Sequence, residues 1–415
     1  MSQLTSLPEH HPAVFAPYKQ QDGTIVLGQR DAEGLAAEYG TPVYIYSEAV
    51  LAKRVADLRL AMPQGLSLHY AVKANPHPQI LRHLTALVEG FDVASGGEVE
   101  RLATLDHPPA EVSFAGPGKS EAELVTAISK GVRIVVESPQ QLRQTNAIAR
   151  DLGVVAKVLV RLNDHRQVRN GGLSMTGGPS VFGWDMQDYV DNGINLFSGS
   201  AHVSFEGFHL FYGTQILQAH ALADGVRMSA ALLASIPVPK LPTLINLGGG
   251  LGLPYAPKDI PLDPCELTEA WADACQTIRA RFPDVRICIE LGRYLVGPAG
   301  VYLTRVLDKK VSDDRTYLVT DGGLHHFLAA TGNFGQVFRR NHPVWPATPR
   351  TGAPETVTIV GRLCTPIDVF ARDVTLPPVE VGDVLVLFQA GAYGFTASPR
   401  DFLSHPPPPE IVLPG

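Results

Sequence analysis

The chain has 415 residues, of which 45% are hydrophobic and 18% are charged. This balance excludes a disordered protein, and the length suits a large barrel plus a second domain. A net charge of −7, without basic runs, excludes a nucleic-acid partner. No apolar stretch approaches the ~20 residues of a membrane span, and the first residues do not resemble a secretory signal. We therefore expect a cytoplasmic protein with neither a nucleic-acid nor a membrane partner.

The cysteines and histidines give no sign of a metal site. The four cysteines, at positions 265, 275, 288 and 364, form no C-x-x-C pair and have no histidines at ligand spacing beside them. The adjacent histidines His325 and His326 are expected to point apart on a strand or helix and to bind no shared ion. We expect reduced thiols and no metal.

Between residues 48 and 297, short β-branched runs alternate with helical segments. One helical segment begins at Ser120 and has Glu123 at the spacing of a capping box. Strands that alternate with helices form a parallel sheet, and eight such units in about 250 residues favour a closed (β/α)8 barrel over an open doubly wound sheet. The predicted strands are 67–73, 91–95, 112–116, 134–138, 158–163, 207–211, 244–248 and 287–291.

After residue 300 the sequence alternates β-branched and polar residues between Gly, Pro and Asp turns, which predicts an antiparallel β domain. Residues 24–29 and 42–47 resemble strands that precede the barrel. The predicted fold is therefore α/β plus β, a TIM-type barrel followed by a C-terminal antiparallel β domain. We place the barrel at 48–297 and build the β domain from 1–47 and 298–415. The irregular connection 164–200 has no assigned role.

Barrel enzymes place their chemistry at the C-terminal ends of the strands. Lys73 ends the first predicted strand, where a Schiff base with an aldehyde would remove the cost of burying its charge. The alternative is a surface lysine whose stem packs on apolar residues.

The last two barrel strands add features that suit a phosphorylated cofactor. The glycines at 248–250 predict a phosphate cradle that opens a helix, with a tight turn as the alternative. Glu290 could pair with a protonated pyridine nitrogen, and Arg293 could bind a phosphate. The alternative is a salt bridge between Glu290 and Arg293. Together with Lys73, these features favour pyridoxal 5'-phosphate.

The motifs of the chain follow one another in the order of a known family. HYAVKAN, FDVASGGEVERL, FAGPGKS, GFHLFYGTQ, INLGGG, ELGR, GRLCTPID and AGAYG resemble those of the barrel-type (fold type III) pyridoxal-phosphate decarboxylases. That family contains the diaminopimelate, ornithine and arginine decarboxylases. The details GNFGQVFRRN and FLSHPPPP are most similar to decarboxylases associated with exosortase A gene clusters. Those enzymes are similar in turn to decarboxylases that act on an aminoacyl group tethered to an acyl carrier protein.

The resemblance implies a role for each matching residue. Lys73 becomes the Schiff-base lysine and Glu290 the partner of the pyridine nitrogen. Cys364 becomes the residue that a neighbouring subunit inserts into the site, where it helps to protonate the product carbanion. The resemblance therefore implies a homodimer with shared active sites. The implied cofactor-binding residues, besides Lys73 and Glu290, are Phe211, Thr214, Gly248, Gly249, Gly250, Arg293 and Tyr393.

Two residues depart from the family pattern. Phe211 replaces a histidine that stacks on the cofactor, so stacking remains while an imidazole proton donor is lost. Thr365 replaces the Asp or Glu with which diamine-forming relatives bind a distal ammonium, and a hydroxyl cannot neutralise that charge. Asp368 is the other candidate for substrate binding. We expect an α-amino acid decarboxylase whose substrate is neutral or acylated at its distal end, either free or linked to an acyl carrier protein.

Three alternatives remain from the sequence. A diaminopimelate decarboxylase acting on the free diamino acid would need Asp368 to supply the missing charge. An amino-acid racemase is disfavoured because the Cys364 motif favours decarboxylation. A non-catalytic binder is disfavoured because Lys73, the glycine run, Glu290 and Arg293 are all present.

Overall fold

The computed structural model describes residues 10–18, 20, 22–164, 179–334 and 340–415. The chain forms two compact units. The β unit consists of Met1–Val55, Leu253–Pro261 and Arg293–Gly415, and the barrel unit consists of Ala56–Gly252 and Leu262–Gly292. Part of the irregular connection, 165–178, and part of the GNFGQVFRRN motif, 335–339, lie outside the described residues.

Short strands joined by helices and turns make up both units. The strands are β1 (Val26–Leu27), β2 (Arg30–Asp31), β3 (Val43–Ser47), β4 (Leu66–Ala71), β5 (Gly90–Val93), β6 (Val112–Phe114), β7 (Arg133–Val136), β8 (Ala156–Asn163), β9 (Trp184–Asp185), β10 (Val203–His209), β11 (Leu244–Asn246), β12 (Arg286–Leu291), β13 (Gly300–Ser312), β14 (Arg315–Thr320), β15 (Val344–Pro346), β16 (Glu355–Val360), β17 (Val369–Leu376), β18 (Val384–Leu387) and β19 (Glu410–Leu413). The α-helices are α1 (Ala32–Tyr39), α2 (Glu48–Ala61), α3 (Pro78–Thr85), α4 (Gly96–Ala103), α5 (Glu121–Ser129), α6 (Pro139–Asp151), α7 (Met186–Asp188), α8 (Ile194–Ser198), α9 (Ala219–Ser235), α10 (Thr268–Arg281) and α11 (Arg293–Val296). A π-helix spans Tyr189–Gly193, and short 3-10 turns span Pro12–Val14, Val72–Ala74, Pro264–Leu267, Gly297–Ala299, Ala329–Thr331, Phe395–Ala397 and Phe402–Ser404.

The barrel unit confirms the predicted closed barrel. Its parallel strands follow the order β10-β11-β12-β4-β5-β6-β7-β8, and the pairing of β8 with β10 closes the ring and excludes the open sheet. β7 is buried along its whole length, as expected for parallel strands covered on both faces. One buried apolar cluster draws on several strands and comprises Ala115, Val135, Leu159, Leu244 and Cys288.

The helix at the predicted capping box is confirmed. Ser120 Oγ accepts a hydrogen bond from the Glu123 backbone N–H at 3.4 Å. In return, Glu123 Oε2 accepts one from the Ser120 backbone N–H at 3.0 Å. Two of the otherwise unpaired amides at the start of α5 are thereby satisfied, which places the helix boundary where the sequence indicates.

The sheet of the β unit is mostly antiparallel and draws strands from both ends of the chain. Its order is β15-β18-β13-β14-β16-β17, with β3 pairing to both β13 and β19. Two pairings, β14 with β16 and β3 with β19, are parallel, unlike the purely antiparallel expectation. In the segment 24–29, β1 pairs with β2 in a separate hairpin, and the Ile25 backbone N–H donates to the Ala347 carbonyl oxygen, next to β15, at 2.9 Å.

The sequence analysis did not predict the strands β2, β15 and β17, and it placed the segment Leu253–Pro261 in the barrel. β15 is very short, and β17 carries charged residues in the middle of its alternation. The segment Leu253–Pro261 belongs to the β unit, although it lies between two stretches of the barrel unit in the sequence. There the Pro254 carbonyl accepts a hydrogen bond from Gln389 Nε2 at 2.8 Å, and the Tyr255 ring stacks on His342 at 5.7 Å.

Within the described ranges, no helix is long and apolar enough to cross a membrane. In the same residues, no three His, Cys, Asp or Glu side chains lie in an arrangement that could hold a metal ion.

Candidate active site

Lys73 lies between two buried carboxyl groups at the C-terminal end of the barrel strands. It sits in the 3-10 turn that directly follows β4, the strand paired with β12 on one side and β5 on the other. Its Nζ is 3.9 Å from Asp92 Oδ2 and 3.8 Å from Glu290 Oε1. The lysine side chain is 43% exposed, whereas those of Asp92 and Glu290 are 1% and 3% exposed. This position favours a reactive amine over a surface lysine with no chemical role.

Glu290 is held by donors from two neighbouring strands. Its Oε2 accepts hydrogen bonds from His209 Nε2 at 3.1 Å and from Asn246 Nδ2 at 3.2 Å. Because an ionised carboxylate can only accept, His209 must carry its proton on Nε2. Burial alone would raise the pKa of Glu290, but the His209 hydrogen bond and the positive charge of Lys73 lower it below its usual range. Glu290 is therefore a fixed negative charge in a buried site.

Asp92 has the opposite protonation preference. Burial raises its pKa well above the usual range, the negative charge of Glu290 raises it further, and Lys73 only partly opposes this. Two nearby carboxyl groups cannot both be ionised cheaply in a buried site, so their pKa values separate. Asp92 therefore keeps its proton where Glu290 loses its own, and Lys73 lies within reach of one neutral and one charged carboxyl group.

The glycine run packs closely against the strand that carries Glu290. Gly248 and Gly250 have φ values of +69° and +97°, a conformation that favours glycine. A Cβ on Gly249 would lie 2.0 Å from the Glu290 carbonyl oxygen. The Gly248 backbone N–H donates to Asn246 Oδ1 at 2.8 Å, so Asn246 links this loop to the Glu290 carboxylate.

The prediction that the glycine run opens a helix is wrong. No helix follows it directly, since the next helical turn is Pro264–Leu267. The run continues instead as an extended loop that pairs with the segment after β10, where Ile216 forms a bridge with Leu251. Anion binding here would therefore depend on loop amides alone, without the dipole of a helix.

Gly249→Ala is expected to weaken cofactor binding and activity by about 1–3 kcal/mol, because its Cβ must displace the backbone of β12. The measurement is the cofactor dissociation constant together with kcat/KM. Gly118→Ala is the matched control, since a Cβ there meets nothing within 4 Å. Equal behaviour of the two variants would contradict this tight packing.

The other predicted cofactor residues of the barrel unit border the same loop. Phe211 lies close to the glycine run, because a Cβ on Gly248 would be 3.2 Å from Phe211 Cδ2. Thr214 is half-buried in the turn before Ile216. The guanidinium of Arg161 lies 5.8 Å from the centre of the Phe211 ring.

Three buried site residues had no assigned role in the sequence prediction. Asp92 and His209 are polar residues near the ends of barrel strands, which was a usable signal. Asn246, the last residue of β11, carried the same signal, but its partner Glu290 is known only once β11 lies beside β12.

In the β unit, Arg293 has the character of an anion-binding group. It begins α11, and its guanidinium lies 5.5 Å from the ring of Tyr255 and 4.7 Å from that of Tyr393. Its Nε is buried and has no hydrogen-bond partner among the described residues. A half-buried guanidinium with a buried, unsatisfied N–H close to two aromatic rings suits a phosphate.

The turn 361–368, also in the β unit, carries the predicted catalytic thiol. Cys364 is exposed and Thr365 is half-buried. Asp368 is buried at the base of the turn, where Oδ1 accepts a hydrogen bond from the Leu324 N–H at 2.6 Å and Oδ2 accepts one from the Leu363 N–H at 3.0 Å. Both carboxylate oxygens are thus satisfied by backbone amides. These contacts favour a role in shaping the turn over the predicted role in substrate binding.

Buried histidines predict sensitivity to acid. Burial lowers the pKa of His69 and His326 to about 4 and that of His325 and His342 to about 3, below the ordinary 6.5. The unfolded chain therefore binds more protons as the pH falls below 6.5, and the folded chain is destabilised down to about pH 4.

We expect the free energy of unfolding to be highest above pH 6.5 and to fall below it, by at most about 1.4 kcal/mol per pH unit for each such histidine. Urea titrations at pH 7.5, 6 and 5 measure this free energy of unfolding. His342→Gln should flatten the slope, whereas a change at the exposed His107 should not. A free energy of unfolding that does not change with pH in the wild-type protein would contradict the prediction.

Comparisons with known proteins agree with this geometry. The family model for the pyridoxal-binding domain of pyridoxal-dependent decarboxylases matches residues 48–297. The L-glutamyl-[BtrI acyl-carrier protein] decarboxylase of Niallia circulans is 32% identical over 394 residues, which are 93% of this chain and 92% of that protein. The 2-[(L-alanin-3-ylcarbamoyl)methyl]-2-hydroxybutanedioate decarboxylase of Staphylococcus aureus is 34% identical over 382 residues, 89% of this chain and 93% of that protein.

A solved structure extends the likeness to the fold. The structure of the diaminopimelate decarboxylase of M. jannaschii, in co-complex with L-lysine, matches this chain with a TM-score of 0.86 at 26% identity. The match covers 97% of this chain and 93% of that chain.

The residues also fit the cofactor of these proteins. Lys73 offers an amine, Glu290 an ionised carboxylate for a ring nitrogen, and Arg293 an unsatisfied N–H for a phosphate. The matched family model spans more than half of the chain, and the two relatives are similar over nearly all of it. The chain therefore belongs to the pyridoxal-dependent decarboxylase family and is a pyridoxal-phosphate-dependent amino acid decarboxylase.

Proposed function

We propose that the enzyme decarboxylates an α-amino acid whose side chain ends in an acyl linkage, either free or carried by an acyl carrier protein. The turn that carries Cys364 provides the supporting observation. It offers the hydroxyl of Thr365 and no available carboxylate, since the oxygens of Asp368 are already bound by amides. Leaving a distal ammonium unpaired in a closed site would cost several kcal/mol.

The names of the relatives support the same substrate class. That of the Niallia relative gives a glutamyl group on an acyl carrier protein, and that of the Staphylococcus relative gives an alanin-3-yl group in carbamoyl linkage. Both names describe an amino acid unit held in an acyl or carbamoyl linkage. The diaminopimelate decarboxylases, at 28–31% identity, support the alternative of a free diamino acid.

Bound pyridoxal phosphate supplies an electron sink for the α-carbon. Lys73 would hold it covalently, and Phe211 would stack on its ring. Glu290, kept ionised by His209 and Lys73, would hold a proton on the ring nitrogen. Asp92, kept protonated by burial and by Glu290, would leave one net negative charge on the pair of carboxyl groups.

Loop amides of Gly248, Gly249 and Gly250 would bind the phosphate together with Arg293 and Tyr393, and Thr214 would add a hydroxyl. We propose that the Cys364 thiol returns a proton to the product carbon from a second subunit, which makes the enzyme a homodimer with shared sites. The cofactor domain is then 48–297, and 1–47 with 298–415 contributes to the site of the partner. We propose the cytoplasm as its location.

Release of CO2 from a γ-linked glutamyl amide or thioester tests the proposal. We expect turnover of these compounds and little turnover of lysine, ornithine or meso-diaminopimelate. Turnover of meso-diaminopimelate by the wild type at an ordinary enzyme rate, on the order of 1–10³ per second, would overturn it. Chiral analysis of the recovered substrate separates decarboxylation from racemisation.

Thr365→Glu is expected to shift preference towards diamino acids by about 1–3 kcal/mol in kcat/KM, because it restores a carboxylate for the ammonium. The ratio of kcat/KM for meso-diaminopimelate and for the γ-glutamyl amide measures the shift. Thr375→Glu, at an exposed position of β17, is the control. An equal ratio in the two variants would argue that Thr365 does not face the substrate.

A further inference from the structure

The segment Leu253–Pro261 is firmly attached to the β unit but has no role in the proposed function. Along the chain it directly follows the glycine run, yet it belongs to the β unit and not to the barrel unit. Near its start, the Pro254 carbonyl accepts the hydrogen bond from Gln389 Nε2. Near its end, Asp259 Oδ1 lies 3.3 Å from Arg340 Nη1. The segment is thus fastened on both sides of Tyr255.

The ring of Tyr255 packs on a buried histidine that is itself held in place. The ring centres of Tyr255 and His342 lie 5.7 Å apart, and their planes are 30° from parallel. His342 Nε2 donates a hydrogen bond to the Phe388 carbonyl oxygen at 2.6 Å, and the edge of the Phe327 ring packs against the imidazole at 5.0 Å. Because close-packed, hydrogen-bonded groups move little, the histidine gives the Tyr255 ring a fixed support.

The guanidinium of Arg293 lies beside this supported ring. Its central carbon is 5.5 Å from the centre of the Tyr255 ring and 4.7 Å from the centre of the Tyr393 ring. Arg293 is only half-buried, so a ligand can reach part of its side chain. A guanidinium is attracted to an aromatic ring while its N–H groups remain able to donate to an anion. The two rings can therefore hold the cation without using the donors that a phosphate needs.

Of the two rings, that of Tyr255 is the better supported. Tyr393 packs at 5.9 Å on the ring of Phe334, which is 42% exposed, whereas Tyr255 packs on the buried His342. Burial raises the pKa of Tyr255 above its usual range, and the positive charge of Arg293 only partly opposes this. The Tyr255 hydroxyl therefore keeps its proton and adds no negative charge that would repel an anion.

We infer that Tyr255 is a positioning residue for the cofactor phosphate, because its ring holds the Arg293 guanidinium in the orientation that binds the phosphate. An arginine that is already held loses less conformational freedom when it binds an anion, and the anion is bound more tightly as a result. Tyr255 acts through Arg293 and need not touch the phosphate itself. This role accounts for the attachment of Leu253–Pro261 to the β unit. The inference rests on the proposed function, in which Arg293 binds the phosphate.

Binding of pyridoxal phosphate and of pyridoxal to the full-length apoenzyme tests the inference. Both compounds carry the aldehyde that reacts with Lys73, but only the first carries the phosphate. The ratio of their dissociation constants, measured by calorimetry, therefore reports the contribution of the phosphate. Tyr255→Leu is expected to lower this preference about three- to thirtyfold, the range of a contact between a cation and a ring. Its dissociation constant for pyridoxal should change less than about twofold, whereas damage to the fold would weaken both compounds alike.

Two further variants show whether the ring of Tyr255 is responsible. Tyr255→Phe keeps the ring and should retain the preference for the phosphate compound to within about twofold. Tyr39→Leu is the matched control, because the Tyr39 ring lies 5.6 Å from the guanidinium carbon of Arg30, a contact of the same kind in the same unit. It should leave the preference unchanged. An unchanged preference in Tyr255→Leu, or an equal loss in Tyr255→Phe and Tyr255→Leu, would overturn the inference.

Arg293→Gln separates this inference from the proposed function. It should lower the preference at least as much as Tyr255→Leu does, and the double variant should lose little more, because the ring then has no cation to hold. A preference that Arg293→Gln leaves unchanged would overturn the proposed role of Arg293. Losses that simply add in the double variant would keep Arg293 as a phosphate ligand and overturn the positioning role of Tyr255 alone. These measurements contain no amino acid, so an error in the proposed substrate class would not alter them.

Discussion

Lys73→Ala is expected to reduce decarboxylation by about three orders of magnitude or more, because the variant loses the amine that holds the cofactor covalently. The amine lies 3.8 Å from Glu290 Oε1 and 3.9 Å from Asp92 Oδ2, so its loss also removes the positive charge between two buried carboxyl groups. Release of CO2 measures activity. The absorption band of the lysine-bound cofactor, near the edge of the visible range, is expected to disappear.

The control for this prediction is Lys157→Ala, which removes an exposed lysine from β8 of the same barrel. It should keep both the band and the activity. Persistence of the band in Lys73→Ala would show that another amine holds the cofactor. Loss of the band with unchanged turnover would show that the covalent link is not needed for catalysis.

Mixing inactive Lys73→Ala with inactive Cys364→Ala protein is expected to restore up to about a quarter of wild-type activity. If each site takes Lys73 from one subunit and Cys364 from the other, random exchange makes half of the dimers mixed, and each mixed dimer has one intact site of two. The exposed position of Cys364 in the single chain agrees with such an arrangement.

Subunit exchange in this experiment must be verified, for example with two affinity tags on the two variants. Each variant mixed with itself serves as the background. Exchange without recovery of activity would place both residues in the site of the same chain. Cys275→Ala, at a buried position outside the proposed site, is the control. Its mixture with Lys73→Ala should show no more activity than the Cys275→Ala protein shows by itself.

Local patterns in the sequence were enough for the barrel and for its reactive ends. β-branched runs of strand length, alternating with amphipathic segments, specify a parallel sheet because each strand is buried on both faces. The capping box at Ser120 marked a helix start for the same local reason. Lys73 and Glu290 were recognisable because charged residues at the ends of apolar strands are costly without a chemical role.

Only the tertiary structure decided how these residues act on one another. Asp92 is far from Glu290 along the chain, and neither residue by itself indicates that one keeps its proton while the other loses it. That difference arises from burial and from a shared lysine. The role of Asn246 likewise depends on β11 lying beside β12.

The remaining discrepancies have the same origin. A run of glycines permits either a helix start or an extended loop, and packing against the Glu290 backbone selected the loop. The prediction that the adjacent histidines His325 and His326 point apart is wrong, because their segment is neither a strand nor a helix and their ring centres lie 3.6 Å apart. Sequence by itself determined the strands of the barrel and the reactive side chains, since both depend on short-range chemistry. Protonation, hydrogen-bond partners and loop direction were decided by contacts between residues that are distant along the chain.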